Sequence, residues 1–218
     1  MASIELEPAS APSKLSVLRA IIAILLRAIG VIATLMLAIA VGLWSSRYMV
    51  ARGSPLSVER LGPWEQWTDI GRESADPYTK ANMISTGKLR ISADSAGVFE
   101  ARTDSQGARL HSSCNYIVKG ANMQGLWWSL AVFDSRGKLI ANDADRYEFT
   151  ADTIALNPSG SFLVSLGRDA RPGNWLPTSG AGRLVLVFTV LDPATGLSSE
   201  ERAQRNKHLP VITRESCS

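Results

Sequence analysis

Apolar residues are distributed along this chain in two ways. From Ala28 to Ser46, nineteen residues pass without a charge, AIGVIATLMLAIAVGLWSS, and nothing like this run recurs downstream. At 1.5 Å per residue it makes roughly 28 Å of helix, about one hydrocarbon core. The pattern predicts a transmembrane anchor over 20–46, after a cytoplasmic tail (1–19) whose first thirteen residues are rich in Ala, Ser, Pro and Glu. A juxtamembrane linker is expected over 47–60, where Gly53, Ser54 and Pro55 cluster. Beyond it, over 61–218, short apolar stretches alternate with turn residues. Strands are predicted at Lys88–Ser92, Val98–Thr103, Cys114–Lys119, Trp127–Asp134, Arg146–Thr150, Ser161–Leu166 and Arg183–Leu191. Ser135-Arg136-Gly137 reads as a tight hairpin leading into Lys138–Ala141. The run LVLVFTVL (Leu184–Leu191) is apolar on both faces and should be a central strand. Short strands at this spacing predict a mainly β fold, an antiparallel β-sandwich or barrel with one or two short helices.

Local signals place those helices. Asp76 offers an N-cap oxygen, Pro77 suits the first helical position and Gly87 a C-terminal cap, with Tyr78, Ala81, Met83 and Ile84 as a partial apolar face. Ser198 and Glu201 have capping-box spacing and should start a short polar helix. Trp64 and Trp67, three apart in GPWEQW, read as one face of a short helix or a staple onto the core.

Composition adds one surprise, an isoelectric point near 9.0. Residues 1–60 hold six Lys and Arg against three Glu, the whole net charge of +3, so residues 61–218 are formally neutral. The basic character therefore belongs to the membrane flanks rather than to a phosphate-binding surface, and no nucleic-acid partner is expected. Lys14, Arg19 and Arg27 precede the span, and Arg47 and Arg52 follow it, a bias that favours an N-terminus inside and a domain outside. Ala38-Ile39-Ala40 has the form of a signal-peptidase site. The long charged region before it and the apolar residues up to Trp44 favour an uncleaved anchor. Two cysteines, Cys114 and Cys217, suit an exported domain: an oxidising compartment would let them pair, and two independent thiols is the other reading.

Candidate chemistry is sparse. His111 and His208 lack metal-ligand spacing, and no nucleophile elbow, phosphate loop or dinucleotide fingerprint occurs, so no metal and no cofactor is expected. Three clusters remain as candidate ligand-binding positions. Trp127 and Trp128 begin a strand ending at Asp134, and alternation sends their indoles to opposite faces, one to the core and one outward as a platform for a sugar ring or an apolar ligand. Asp143, Asp145 and Arg146 share a loop, where paired acids could do glycosidase-type work but a solvated ion pair is the simpler expectation. Arg171-Pro172-Gly173-Asn174-Trp175-Leu176-Pro177-Thr178 is a rigid loop carrying Arg171, Asn174 and Trp175. It fits either a binding site or an Asn that satisfies loop backbone beside a Trp that plugs the fold.

RPGNWLPT, together with WWSLAVFD, ADPYTKA, GPWEQW and the terminal LPVITRESC, resembles the bacterial domain-of-unknown-function family 1214 across about residues 62–217. VFTVLDP stands where a strand with Arg and Tyr is more typical of that family. The resemblance implies a jelly-roll-type sandwich, a Cys114–Cys217 disulfide, and an inner-membrane-anchored protein with a periplasmic domain. It also implies a separately encoded envelope partner resembling the family numbered 1254, which forms the first half of two-domain relatives. It brings no activity and no catalytic residue. The expected function is a non-enzymatic binding or partner-interaction module of the envelope. The alternative is a carbohydrate- or lipid-modifying enzyme using Asp134, Asp145, Arg146 and Arg171.

Overall fold

The long apolar run folds as one helix, α1 (Lys14–Arg52), with Trp44 and Tyr48 one turn apart and stacked at 5.9 Å between ring centroids. A computed structural model of the chain describes residues 14–53, 57–86, 91–121, 123, 126–192 and 198–217. The expected tail over 1–13, the glycine cap at Gly87 and most of the expected strand Lys88–Ser92 lie outside these residues. Within α1, Val17–Arg52 is 36 residues long and apolar enough to cross a membrane, with large apolar side chains such as Leu26, Met36 and Leu43 exposed. At 1.5 Å per residue it exceeds one hydrocarbon core by about 24 Å. The chain divides into two compact units, with the boundary between Met49 and Val50.

The second unit is two stacked sheets. β1 (Val58–Leu61), β2 (Trp64–Trp67), β3 (Ala96–Ala101), β5 (Trp128–Asp134), β6 (Glu148–Thr150) and β9 (Leu184–Leu191) form a six-stranded sheet in the order β1-β2-β3-β9-β5-β6. β4 (Cys114–Ala121), β7 (Ser161–Gly167), β8 (Asn174–Pro177) and β10 (Val211–Cys217) form a second sheet in the order β10-β4-β7-β8. The expected mainly β sandwich is present, and β9 is central, paired with β3 and β5. One pair departs from the antiparallel expectation: β7 and β8 run parallel.

Alternation builds the core. Trp128, Leu130 and Val132 from β5 meet Leu184, Leu186, Phe188 and Val190 from β9 and Tyr116, Val118, Phe162 and Val164 from the facing sheet. Trp128 stacks on Phe162 at 4.6 Å and lies 5.5 Å from Phe188. Phe162 is opposite Gly120 in the β4–β7 register, and a Cβ at Gly120 would come within 2.4 Å of its ring. The absence of a side chain at Gly120 is therefore what seats Phe162.

One open reading is decided and two local expectations are corrected. GPWEQW forms strand β2, so Trp64 is buried while Trp67, on the other face, is half-covered; the three-residue spacing mimics a helical face. The Trp64 indole donates to the Pro210 carbonyl at 2.7 Å and so ties β2 to the start of β10. The loop RPGNWLPT contains an edge strand, β8, which tolerates Pro177 because an edge need not donate on its outer side. The helix opened by Asp76 is α2 (Pro77–Thr86), with Asp76 accepting from the Tyr78 and Thr79 amides at 2.9 and 3.2 Å. Its buried residues are Thr79 and Asn82, however, and Ile84 is 81% exposed. The inward polar side chains have hydrogen bonds to make: the Thr79 hydroxyl donates to the Asp76 carboxylate, and Asn82 donates to the Val50 carbonyl at 2.8 Å.

The capping box at Ser198 and Glu201 starts α3 (Ser199–Asn206), as its spacing predicts. The helix delivers Arg205 into the fold, where it pairs with the buried Asp192 and lies over the Phe99 ring at 5.4 Å. A Cβ on Gly97 would sit 2.7 Å from the guanidinium, so glycine makes room for it. Both charges are almost fully buried, and removing Asp192 strands the Arg205 guanidinium. Asp192→Ala should lower stability by about 3–5 kcal/mol, whereas replacing Arg205 and Asp192 together by Met and Leu should recover much of that loss. Urea unfolding of the full chain in detergent checks both.

Candidate functional site

The paired tryptophans separate as alternation requires. Trp128 is fully buried, whereas Trp127 is 39% exposed. The Trp127 indole N–H donates to an Asp152 carboxylate oxygen at 3.0 Å, and its carbonyl accepts from the Leu191 amide at 2.9 Å. Leu191, across the sheet, is itself 37% exposed. The ring is thus held by its polar edge with apolar surface left to solvent, the arrangement that accepts a sugar face or an apolar side chain. Asp152, in the turn after β6, carried no sequence signal.

Arg146, Asn174 and Trp175 come together. Arg146 donates to the Trp175 carbonyl at 3.3 Å and lies 5.8 Å from the Phe149 ring centre. Asn174 is buried; its oxygen accepts from the Ala155 amide at 2.9 Å, and its nitrogen donates to the carbonyls of Ala155 and Leu163 at 2.9 and 3.0 Å. Its amide is committed to backbone, holding the segment before β7 against β8. Trp175, half-buried, donates to the Gly167 carbonyl at 3.2 Å. Arg171 pairs with Glu215 of β10 at 2.5 Å and so binds the loop before β8 to the far strand of its sheet.

Asp134 does turn work. It accepts from the amides of Arg136 and Lys138 at 2.8 and 2.9 Å and from the Arg136 guanidinium at 3.1 Å. The Lys138 amide bond, with the Arg136 contacts, holds its carboxyl below the usual value of 3.8 against the smaller opposing effect of burial. In the next loop Asp145 adopts φ 50°, the left-handed region that Asp tolerates. A hydrogen bond from the Tyr147 phenol to Asp145 pushes that phenol up from its usual 10.0. Asp143 is exposed.

A shallow open depression elsewhere is lined by Arg72, Glu73, Ser74 and Asp94. Arg72 is committed there to Asp69 at 2.9 Å and Asp94 at 2.8 Å, a link between the loop before α2 and the turn before β3. Among the described residues, no group of three His, Cys, Asp or Glu side chains is placed to hold a metal ion. Cys114 and Cys217, directly opposed in the β4–β10 register, are joined as a disulfide.

Two outcomes follow from these geometries. Asn174→Ala, which strands buried backbone groups, should cost about 1–3 kcal/mol in urea unfolding, whereas Trp127→Ala should stay within about 1 kcal/mol of the parent. Because the folded Asp134 carboxyl titrates below its unfolded value, its contribution is present at neutral pH and fades as pH falls through the folded value. A carboxyl-carbon NMR titration should show its midpoint below 3.8.

The sequence matches the model of a family described as "Protein of unknown function (DUF1214)" over residues 95–195, which run from the turn before β3 past the end of β9. No curated protein matches the chain. Among solved structures, the VPA0106 protein of Vibrio parahaemolyticus is similar at 15% identity and a TM-score of 0.54, over 80% of this chain and 43% of that one. An uncharacterised protein from Burkholderia cenocepacia is similar at 18% identity and a TM-score of 0.43, over 79% of this chain and 40% of that one. This chain thus spans less than half the length of these structural relatives, and the first of them shares its sandwich-like fold. Residues 95–195 are thus similar to that family of unknown function and are consistent with a domain of its kind.

Proposed function

We propose that this protein is a single-pass inner-membrane protein whose β-sandwich is displayed in the periplasm, where it binds a partner protein of the envelope instead of catalysing a reaction. The observation that carries the reading is the conjunction of an exposed apolar helix, Val17–Arg52, with a domain closed by a Cys114–Cys217 disulfide. A helix of that length and apolar composition is at home in lipid. A disulfide in a bacterial protein is stable on the oxidising side of the inner membrane. The Lys and Arg residues before the apolar run give the same direction, N-terminus inside. The binding surface is the outward Trp127 ring with Leu191 beside it, since an indole anchored at its N–H is prepaid in side-chain entropy.

Topology and binding are tested separately. Cysteines introduced at Arg52 and, in a second variant, at Ser3 should react in intact spheroplasts with a membrane-impermeant maleimide at position 52 only. Reaction at position 3 only would reverse the orientation. A photo-crosslinking residue at Trp127 should give a discrete crosslinked species in membranes, whereas the same residue at the exposed Ile84 should not. Equal, diffuse labelling from both positions would remove the binding surface from the proposal.

A further inference from the structure

The Cys114–Cys217 disulfide has an asymmetric setting. Cys114 is buried at the start of β4, whereas Cys217 ends the edge strand β10 and is exposed. The Ser113 hydroxyl oxygen lies 3.8 Å from the Cys114 sulfur and 2.9 Å from His111 Nδ1, which also accepts the Ser113 amide at 3.1 Å. A disulfide sulfur has no proton, so in any hydrogen bond between these two groups the hydroxyl is the donor. Oxidised sulfur is a weak acceptor, and the ring nitrogen is the stronger partner of that hydroxyl. The balance inverts if Cys114 becomes a thiolate, because the bond to sulfur is then charge-assisted.

From this setting we infer that the disulfide is a site of thiol–disulfide exchange with an external dithiol, with Cys217 the sulfur attacked and Cys114 the leaving sulfur. The attacking thiolate forms a bond to Cys217 Sγ, the Cys114–Cys217 bond breaks, and the electron pair departs on Cys114 Sγ. There the Ser113 hydroxyl turns onto it. The second thiol of the dithiol, losing its proton, then displaces Cys217. The dithiol is oxidised to a disulfide, Cys114 and Cys217 are reduced, and the two protons lost by the dithiol end on the two cysteines. Leaving-group stabilisation accelerates exchange, and a donor that engages fully only as charge develops acts on the transition state. Ser113 is the group that contacts the reacting sulfur, and His111 is a positioning residue.

Exchange changes the fold only at the end of β10. Ile212 of β10 is fully buried, and Ser105 is bonded to it from both sides, its amide donating to the Ile212 carbonyl at 2.9 Å and its hydroxyl accepting the Ile212 amide at 3.0 Å. The β4–β10 register is broken between Arg214 and Ser216. Opening the disulfide therefore leaves Ile212 in the core and Ser216 bonded to the Asn115 side-chain amide at 3.1 Å, and presents the exposed Cys217 thiol beyond that anchor.

The test uses the full-length protein in detergent with a monothiol, glutathione, as the attacking probe, quenched in acid and alkylated. Peptide mass spectrometry should find glutathione on Cys217 and the alkyl label on Cys114; the reverse pattern, equal labelling, or a native disulfide inert to the probe overturns the proposal. Ser113→Ala should slow the exchange about fivefold, and Ser113→Thr, which keeps the hydroxyl, should restore it. An unchanged rate in Ser113→Ala, with the Ile212 amide still protected from hydrogen exchange, would likewise overturn it.

Discussion

The sandwich depends on one contact across its two sheets, the stack of Trp128 on Phe162. Trp128 belongs to β5 in the larger sheet and Phe162 to β7 in the smaller, and both are fully buried. Such a pair contributes about 0.5–1.5 kcal/mol beyond the area it buries, but its larger effect is geometric. It sets where the strands face each other, and it needs Gly120 beside Phe162 on the neighbouring strand. From that centre the other core residues follow by alternation, Leu130 and Val132 along β5 and Phe188 and Val190 along β9. A shift of one residue in β5 would exchange Trp128 for Trp127, bury the indole that now meets solvent and expose the one that holds the sheets.

Around this apolar centre, polar side chains fix the connections. Asn174 replaces missing backbone partners between Ala155, Leu163 and β8. Arg205 and Asp192 place a charge pair beside Phe99, where the glycine at position 97 leaves space. Arg171 reaches Glu215 across the smaller sheet. The loops that looked most like a reactive site are therefore occupied with holding the fold. Trp127 differs from them, because its polar edge is satisfied while its ring surface is left over.

The sequence was legible where one simple period governs the chain. β3, β4, β5, β6, β7 and β9 are legible because alternation and turn residues agree there, and the central place of β9 follows from its two apolar faces. GPWEQW leaves a helical face and a staple onto the core both open, because two tryptophans three apart fit a helix; in the strand they fall on opposite faces, and Trp64 packs in the core. β8 was read as loop because its prolines and glycine signal turns, and pairing with β7 cannot be seen locally. The inward face of α2 was misjudged because Thr79 and Asn82 are buried for hydrogen bonding, which hydrophobic patterning does not register. Within the candidate site, the opposed faces of Trp127 and Trp128 were legible from alternation. Asp152, which orients the outward indole, was not, because it reaches Trp127 from a turn 25 positions away.

The bond from Trp64 to the Pro210 carbonyl joins positions 146 residues apart. It has a consequence for how the molecule is made. β2 is synthesised early, yet its buried indole has no acceptor until the chain through Pro210 has been extruded, and β4 has no neighbour on one side until β10 arrives. Contacts so distant in sequence must wait for loop closure and are slow to form. During biogenesis the sheets therefore remain unsealed until nearly all of the sandwich has emerged, and this nascent, edge-exposed state is when the protein most needs protection from aggregation.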